Sequence, residues 1–115
     1  MGVKWEAPAV YLALGPTDMR KQIDSLAALV QGTLGKDVFG GQLFCFCNRR
    51  GTLIKILYWD RSGFSLWMKR LEKNRFVWPC REGELLEVGV RELEWLLEGL
   101  DIGRAHGRLE YRTVV

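Results

Sequence analysis

The stretch from Leu43 to Trp78 reads LFCFC NRRG TLIKILYW DRSG FSLWMKRL EKNR FVW, and its punctuation decides the fold. Turn signals open at Asn48, Asp60 and Glu72, twelve residues apart, between runs rich in aromatic and β-branched residues. Asn or Asp opening a four-residue turn and Gly closing it suits a type I turn followed by a left-handed residue, a common hairpin connection. Asn74 takes the left-handed place in the third turn, because its short polar side chain tolerates positive φ. Even spacing of this kind predicts an antiparallel meander of Leu43–Cys47, Thr52–Trp59, Phe64–Leu71 and Phe76–Trp78, ended by Pro79. Phe64, Trp67, Met68 and Leu71 also fit helical spacing, and the regular turns favour strand there.

Outward from the meander, Val10 to Leu14 is an apolar run stopped by Gly15-Pro16, expected to form a buried strand. Thr17 is the expected N-cap of a helix, with Asp18 at the positive end of its dipole. Met19, Ile23, Leu26, Ala27, Val30 and Leu34 follow at spacings of three and four, one apolar face with Gly35 as its stop. Glu84–Val88 suits a further short strand. Val90, Leu93, Leu96, Leu97 and Leu100 define a second amphipathic helix with acids outside. The fold class that follows is α+β: an antiparallel meander with two amphipathic helices packed on it, both on one face of a curled sheet. One domain spans residues 1–102. Residues 103–115 form a tail, in which Leu109–Val115 can pair as an edge strand.

The chain has 115 residues, 48% hydrophobic and 27% charged, enough for a real core in one domain. No apolar run approaches the roughly 20 residues that span a bilayer, so no membrane partner is expected. No signal peptide is expected from the N-terminal residues, and the cysteine count is odd. Cys45, Cys47 and Cys80 are therefore expected as free thiols in a reducing cytoplasm.

The net charge of +3 conceals segregation. Residues 43–81 carry nine Lys or Arg against Asp60 and Glu72, while residues 82–101 carry seven acids against Arg91. Alternate turns of a meander share one end of the sheet, so Arg49, Arg50, Lys73 and Arg75 should gather there and Arg61 should lie at the other end. If Trp59 faces Phe64 across the second hairpin, Lys55 and Arg70 share a face. Basic residues interleaved with the aromatics Tyr58, Trp59, Trp67, Phe76 and Trp78 match how proteins hold nucleic acid. Cations displace counterions from phosphate, and rings stack on unpaired bases. Against this stands the plainer account that hairpin tips are basic for solubility, that the rings fill a core, and that the acidic helix neutralises the sheet.

Other chemistries find less support. Cys45 and Cys47 fall on one face of a strand, but with Cys80 and His106 their spacing matches no zinc pattern, and buried inert thiols are expected. Strand transfer by two metal ions needs converging carboxylates, and Asp18, Asp24, Asp37, Asp60 and Asp101 are scattered. Neither a metal nor another cofactor is expected.

Several motifs in order resemble a known family. They are Gly15-Pro16-Thr17-Asp18-Met19-Arg20-Lys21, then Ile54-Lys55-Ile56-Leu57-Tyr58-Trp59-Asp60, Gly63-Phe64, Lys69-Arg70-Leu71-Glu72, Arg75-Phe76 with Trp78-Pro79, and the Leu-Leu-Glu-Gly-Leu ending at Leu100. From about Val10 to Ile102 the chain is similar to the small accessory protein, often called TnpB or the second open reading frame, of the insertion-sequence-sixty-six transposons of bacteria. The resemblance implies a role in DNA transposition beside a separate, larger transposase that carries the acidic catalytic residues. It singles out Asp18, Arg20, Lys55, Asp60, Lys69 and Arg70 as motif positions. The chain departs from the family pattern at Gln22, where glycine is common, and at Cys45 and Cys47. The combined expectation is a non-catalytic accessory protein that contacts DNA through Arg49, Arg50, Lys55, Lys69, Arg70, Lys73 and Arg75, and partners its transposase. The alternative is a module that docks the transposase without touching DNA. The segregated charge also allows self-association.

Overall fold

The computed structural model describes residues 5–79 and 83–102 and the backbone of Arg112–Thr113. In chain order the elements are β1 (Val10–Ala13), α1 (Ile23–Gln31), β2 (Leu43–Cys47), β3 (Leu53–Asp60), β4 (Gly63–Arg70), β5 (Leu85–Val88), α2 (Val90–Leu97) and β6 (Arg112–Thr113). The strands form one sheet in the order β4-β3-β2-β1-β5-β6. Only β1 and β2 run parallel; every other neighbouring pair is antiparallel. The α+β class therefore stands. β2, β3 and β4 make the expected meander, and Phe64–Arg70 is strand, not helix. The β6 pairing with β5 falls inside the segment read as a potential edge strand.

The helices do not share a face. All five side chains of β2 are buried, and a strand with no polar alternation needs cover on both sides. Its register shows how. Leu12, Cys45, Ile56 and Trp67 lie in line across β1 to β4, on the face covered by Leu93, Leu96 and Leu97 of α2. Tyr11, Phe44, Leu57 and Leu66 lie in line on the opposite face, under Leu26, Ala27 and Val30 of α1. The result is three layers. Each fully buried Leu, Val or Phe is worth about 1.5–3 kcal/mol relative to exposure, so uncovering either face of β2 would forfeit several such terms.

Helix α1 begins later than its sequence suggested. Its N-cap is Gln22, in extended conformation, and the Gln22 N–H donates to the Ser25 hydroxyl at 3.4 Å. Thr17 instead donates its N–H to the Cys47 carbonyl at 2.8 Å, which ties the segment to the end of β2. Asp18 accepts from the Arg20 N–H at 3.0 Å, and its carbonyl accepts from the Lys21 N–H at 3.2 Å. Asp18 thus closes a turn ahead of the helix, a known competing use of short polar side chains. Helix α2 opens with the Gly89 N–H donating to the Glu92 carboxylate at 2.6 Å, and Gly99 at φ 87° follows its end.

The turns differ in kind. In the first, the Gly51 N–H donates to the Asn48 carbonyl at 3.1 Å and Gly51 sits at φ 72°, as expected. The second is tighter. Asp60 pairs directly with Gly63, so the loop is two residues and Arg61, not Gly63, takes positive φ. In the third, Asn74 has φ 65°, but Phe76–Trp78 is not a strand. β5 must reach β1 on the far side of the sheet, so the chain leaving β4 crosses the strand ends. The Phe76 N–H donates to the Gly51 carbonyl at 2.7 Å, and the Trp78 indole donates to the Ala13 carbonyl at 2.9 Å.

Candidate nucleic-acid interface

That crossing segment builds a site at one end of the sheet. The first turn is organised by Asn48, whose side-chain oxygen accepts from the N–H groups of Thr52 at 2.9 Å and Leu53 at 3.1 Å. Its amide nitrogen donates to the Thr52 hydroxyl at 3.0 Å. Arg49 and Arg50 occupy the exposed tip. Gly51 then meets the crossing chain so closely that a β-carbon there would lie 3.1 Å from the Phe76 carbonyl oxygen. Lys73 and Arg75, also exposed, flank this crossing. The first and third turns therefore share an end even though the third is no hairpin.

A groove of about 420 Å³ runs between these pieces, lined by Gly15, Pro16, Asn48, Arg49, Arg50, Gly51, Phe76, Trp78 and Pro79. Phe76 is buried and forms the floor. The Trp78 ring is half-buried, its orientation set by the bond to Ala13. Gly15-Pro16 enters as a wall because Thr17 is pinned to Cys47. Sequence reasoning took Gly15-Pro16 as a strand stop and as the opening of a family motif, not as part of a groove. What places it is the parallel β1–β2 pairing, which brings Gly15, just beyond β1, beside the end of β2.

The named cations divide into two groups. Arg49, Arg50, Lys73 and Arg75 are exposed and take part in none of the ion pairs found among the described residues. Arg70 is exposed but donates to the Glu72 carboxylate at 2.8 Å. Trp59 does pair with Phe64, so Lys55 and Arg70 share a face as expected. Lys55, however, is only 3% exposed, and its ammonium donates to the carbonyls of Met19 and Lys21 at 2.8 Å each. It holds the segment before α1 in place and offers no surface charge. Lys69, on the other face, donates to the Leu97 carbonyl at 3.0 Å. It satisfies a carbonyl at the negative end of α2, a favourable place for a cation.

The carboxylates do not converge. Asp18 is engaged by the Arg20 guanidinium at 2.7 Å, whose hydrogen bonds hold its pKa down to about 2. Asp60 lies at the opposite end of the sheet beside Arg61. Among the described residues no group of His, Cys, Asp and Glu is placed to hold a metal ion. Cys45 and Cys47 face the α2 side, buried and free. Burial pushes the Cys45 thiol far up and the Cys47 thiol up to about 11. Cys80 and His106 lie outside the described residues. Among those described, no helix is long and apolar enough to cross a membrane. The acids Glu94 of α2 and Glu98 just past its end are exposed, and neither pairs with a tip cation.

Comparison with known proteins agrees with the motif order. A family model described as IS66 Orf2 like protein matches residues 8–107. The chain is 42% identical over 92 residues to a protein of Sinorhizobium fredii (strain NBRC 101917 / NGR234) titled "Uncharacterized protein y4hO", covering 80% of each. It is 34% identical over 92 residues to that organism's "Uncharacterized protein y4jC", covering 80% of this chain and 79% of the other. No solved structure matches.

Proposed function

The chain belongs to the IS66 Orf2-like family, associated with transposition, and from that premise we propose that it is a non-catalytic accessory protein that grips DNA at the groove end of its sheet. The observation that carries this is the exposed set Arg49, Arg50, Lys73 and Arg75, outside every ion pair of the described residues, with Arg49 and Arg50 lining a groove that Trp78 also lines. The tip cations supply phosphate contacts, which position without reading sequence. Arg70 contributes less, because Glu72 already holds it. Lys55 and Lys69 serve the fold.

The test is a salt titration of affinity for duplex DNA. Four phosphate contacts give a log–log slope of about −3.6, at about −0.9 per contact. Changing Arg49, Arg50, Lys73 and Arg75 together to Ala should flatten that slope and leave the circular dichroism unchanged. An unchanged slope moves the DNA surface elsewhere.

A second reading draws on α2, where exposed Glu94 and the capping Glu98 leave an acidic surface available. In it the chain docks its transposase through α2 without touching DNA. A pull-down with the transposase, with and without transposon-end DNA, separates the two. Binding to the transposase by wild type that is lost in Glu94→Lys/Glu98→Lys, with no DNA affinity at low salt, supports the second.

A further inference from the structure

β4 is an edge strand of the sheet. The Leu71 N–H donates to the Thr52 carbonyl at 2.8 Å, and from that bond the alternation of the antiparallel ladder assigns every amide of the strand. Gly63, Ser65, Trp67 and Lys69 aim their backbone groups at β3. Phe64, Leu66, Met68 and Arg70 aim theirs outward. None of the latter has a backbone partner among the described residues.

An exposed edge of this length is a template for another strand unless it is blunted. β4 carries no proline, and its charges are confined to its last two positions. Lys69 is already committed to Leu97. The side chains beside the free edge are apolar: Met68 is 58% exposed, and Phe64, Leu66 and Trp67 are half-buried.

We propose that β4 pairs antiparallel with β4 of a second copy, centred on Trp67. The pattern of free groups selects this register. Antiparallel pairing about a two-fold axis perpendicular to the sheet keeps each copy's faces continuous, so opposed residues must have the same parity. With Trp67 opposite the second copy's Trp67, Phe64 falls opposite the second copy's Arg70, and Leu66 opposite the second copy's Met68. All four outward N–H groups and all four outward carbonyls of each copy then find partners. A shift of two residues either way leaves some of them without one.

The side chains fit the same register. Leu66 and Met68 cover each other, and the Arg70 guanidinium reaches the Phe64 ring, a favourable cation–aromatic pair. Ser65 meets Lys69, and within the strand no like charges are opposed. The α1 and α2 layers of the two copies continue side by side. The two groove ends then point in opposite directions along the strands.

Sedimentation of the full chain over a concentration series tests this without any DNA, so its outcome is separate from that of the DNA reading. Wild type should convert with concentration from 13.2 kDa to twice that mass. Leu66→Pro removes an outward N–H and leaves the bonds to β3 intact, the tolerated place for proline in an edge strand. It deletes two bonds per dimer, at about 1 kcal/mol per bond, and trims the Leu66–Met68 contact, so association should weaken by roughly thirtyfold or more, with unchanged circular dichroism. The register is read by cross-linking in a Cys80→Ser background. Ser65→Cys with Lys69→Cys should form intermolecular disulfides, because those positions oppose each other at about 4.5 Å between Cα atoms, within disulfide reach. Ser65→Cys alone should not. Wild type that stays at 13.2 kDa at every concentration overturns the proposal and leaves the edge to a strand from a different chain. A folded Leu66→Pro that dimerises like wild type overturns it too, as does cross-linking by Ser65→Cys alone.

Discussion

Replacing Lys55 with Met separates a structural cation from a binding one. The methionine stem keeps most of the buried apolar contact and deletes the ammonium. The carbonyls of Met19 and Lys21, each 2.8 Å from Nζ, then lose their charged donor. A hydrogen bond to a charged group contributes about 1.5–3 kcal/mol. Part of that loss is recovered because a buried charge no longer needs desolvation, so a net loss of about 2–4 kcal/mol is expected. Urea unfolding followed by tryptophan fluorescence measures it. With a slope near 2 kcal/mol per molar, typical of small proteins, the midpoint falls by about 1–2 M. The segment with Arg20 and Lys21 should also loosen, seen as faster amide exchange at residues 18–22. DNA affinity across a salt series is read on the same variant, and its slope should stay that of wild type because Lys55 makes no phosphate contact. A midpoint within about 0.3 M of wild type, together with a slope reduced by about 0.9, would refute the structural assignment and return Lys55 to the binding surface.

Gly51→Ala should cost about 1–2 kcal/mol for the left-handed conformation alone, with more for the contact at 3.1 Å to the Phe76 carbonyl; thermal melts check it, and DNA affinity should fall with the displaced crossing segment. Asp18, held at about 2 from its ordinary 3.8, contributes stability present above the higher value and lost as pH falls through the lower. Asp18→Asn should therefore flatten the pH dependence of stability between those values, and an unchanged profile would show that the pair with Arg20 has no energetic role. Native Cys45 and Cys47 should resist thiol reagents at pH 8 and react on unfolding, given their raised pKa values; rapid native labelling at either position, mapped by mass spectrometry, counts against their burial. The isolated protein should neither cut nor join DNA, and metal-dependent nicking that disappears in Asp18→Asn or Asp60→Asn would overturn that expectation.

What the sequence determined by itself was local. Turn residues carry their conformations with them, so Gly51 and Asn74 adopt positive φ as their chemistry requires, and the strands between Asn48 and Arg70 follow from the runs those turns bound. Amphipathic spacing likewise placed α2 to within a few residues and found α1, though its start moved from Thr17 to Gln22, and the motif order pointed to the family. The face each helix covers was legible only indirectly, in the unbroken apolar run of β2, which needed two covers rather than one. Tertiary structure decided the rest, because each remaining choice depends on a partner distant in the chain. Thr17 left its helix because the end of β2 offered its N–H the Cys47 carbonyl as an acceptor. Phe76–Trp78 left the sheet because β5 pairs with β1 at the far side, so the chain had to cross the strand ends. Lys55 and Arg70 share a face, yet only packing told them apart: one ammonium is enclosed under the segment leading into α1, and the other cation stays in water, where an ion pair costs little to break. Charge is written in the sequence; whether it is solvated is settled by what folds over it.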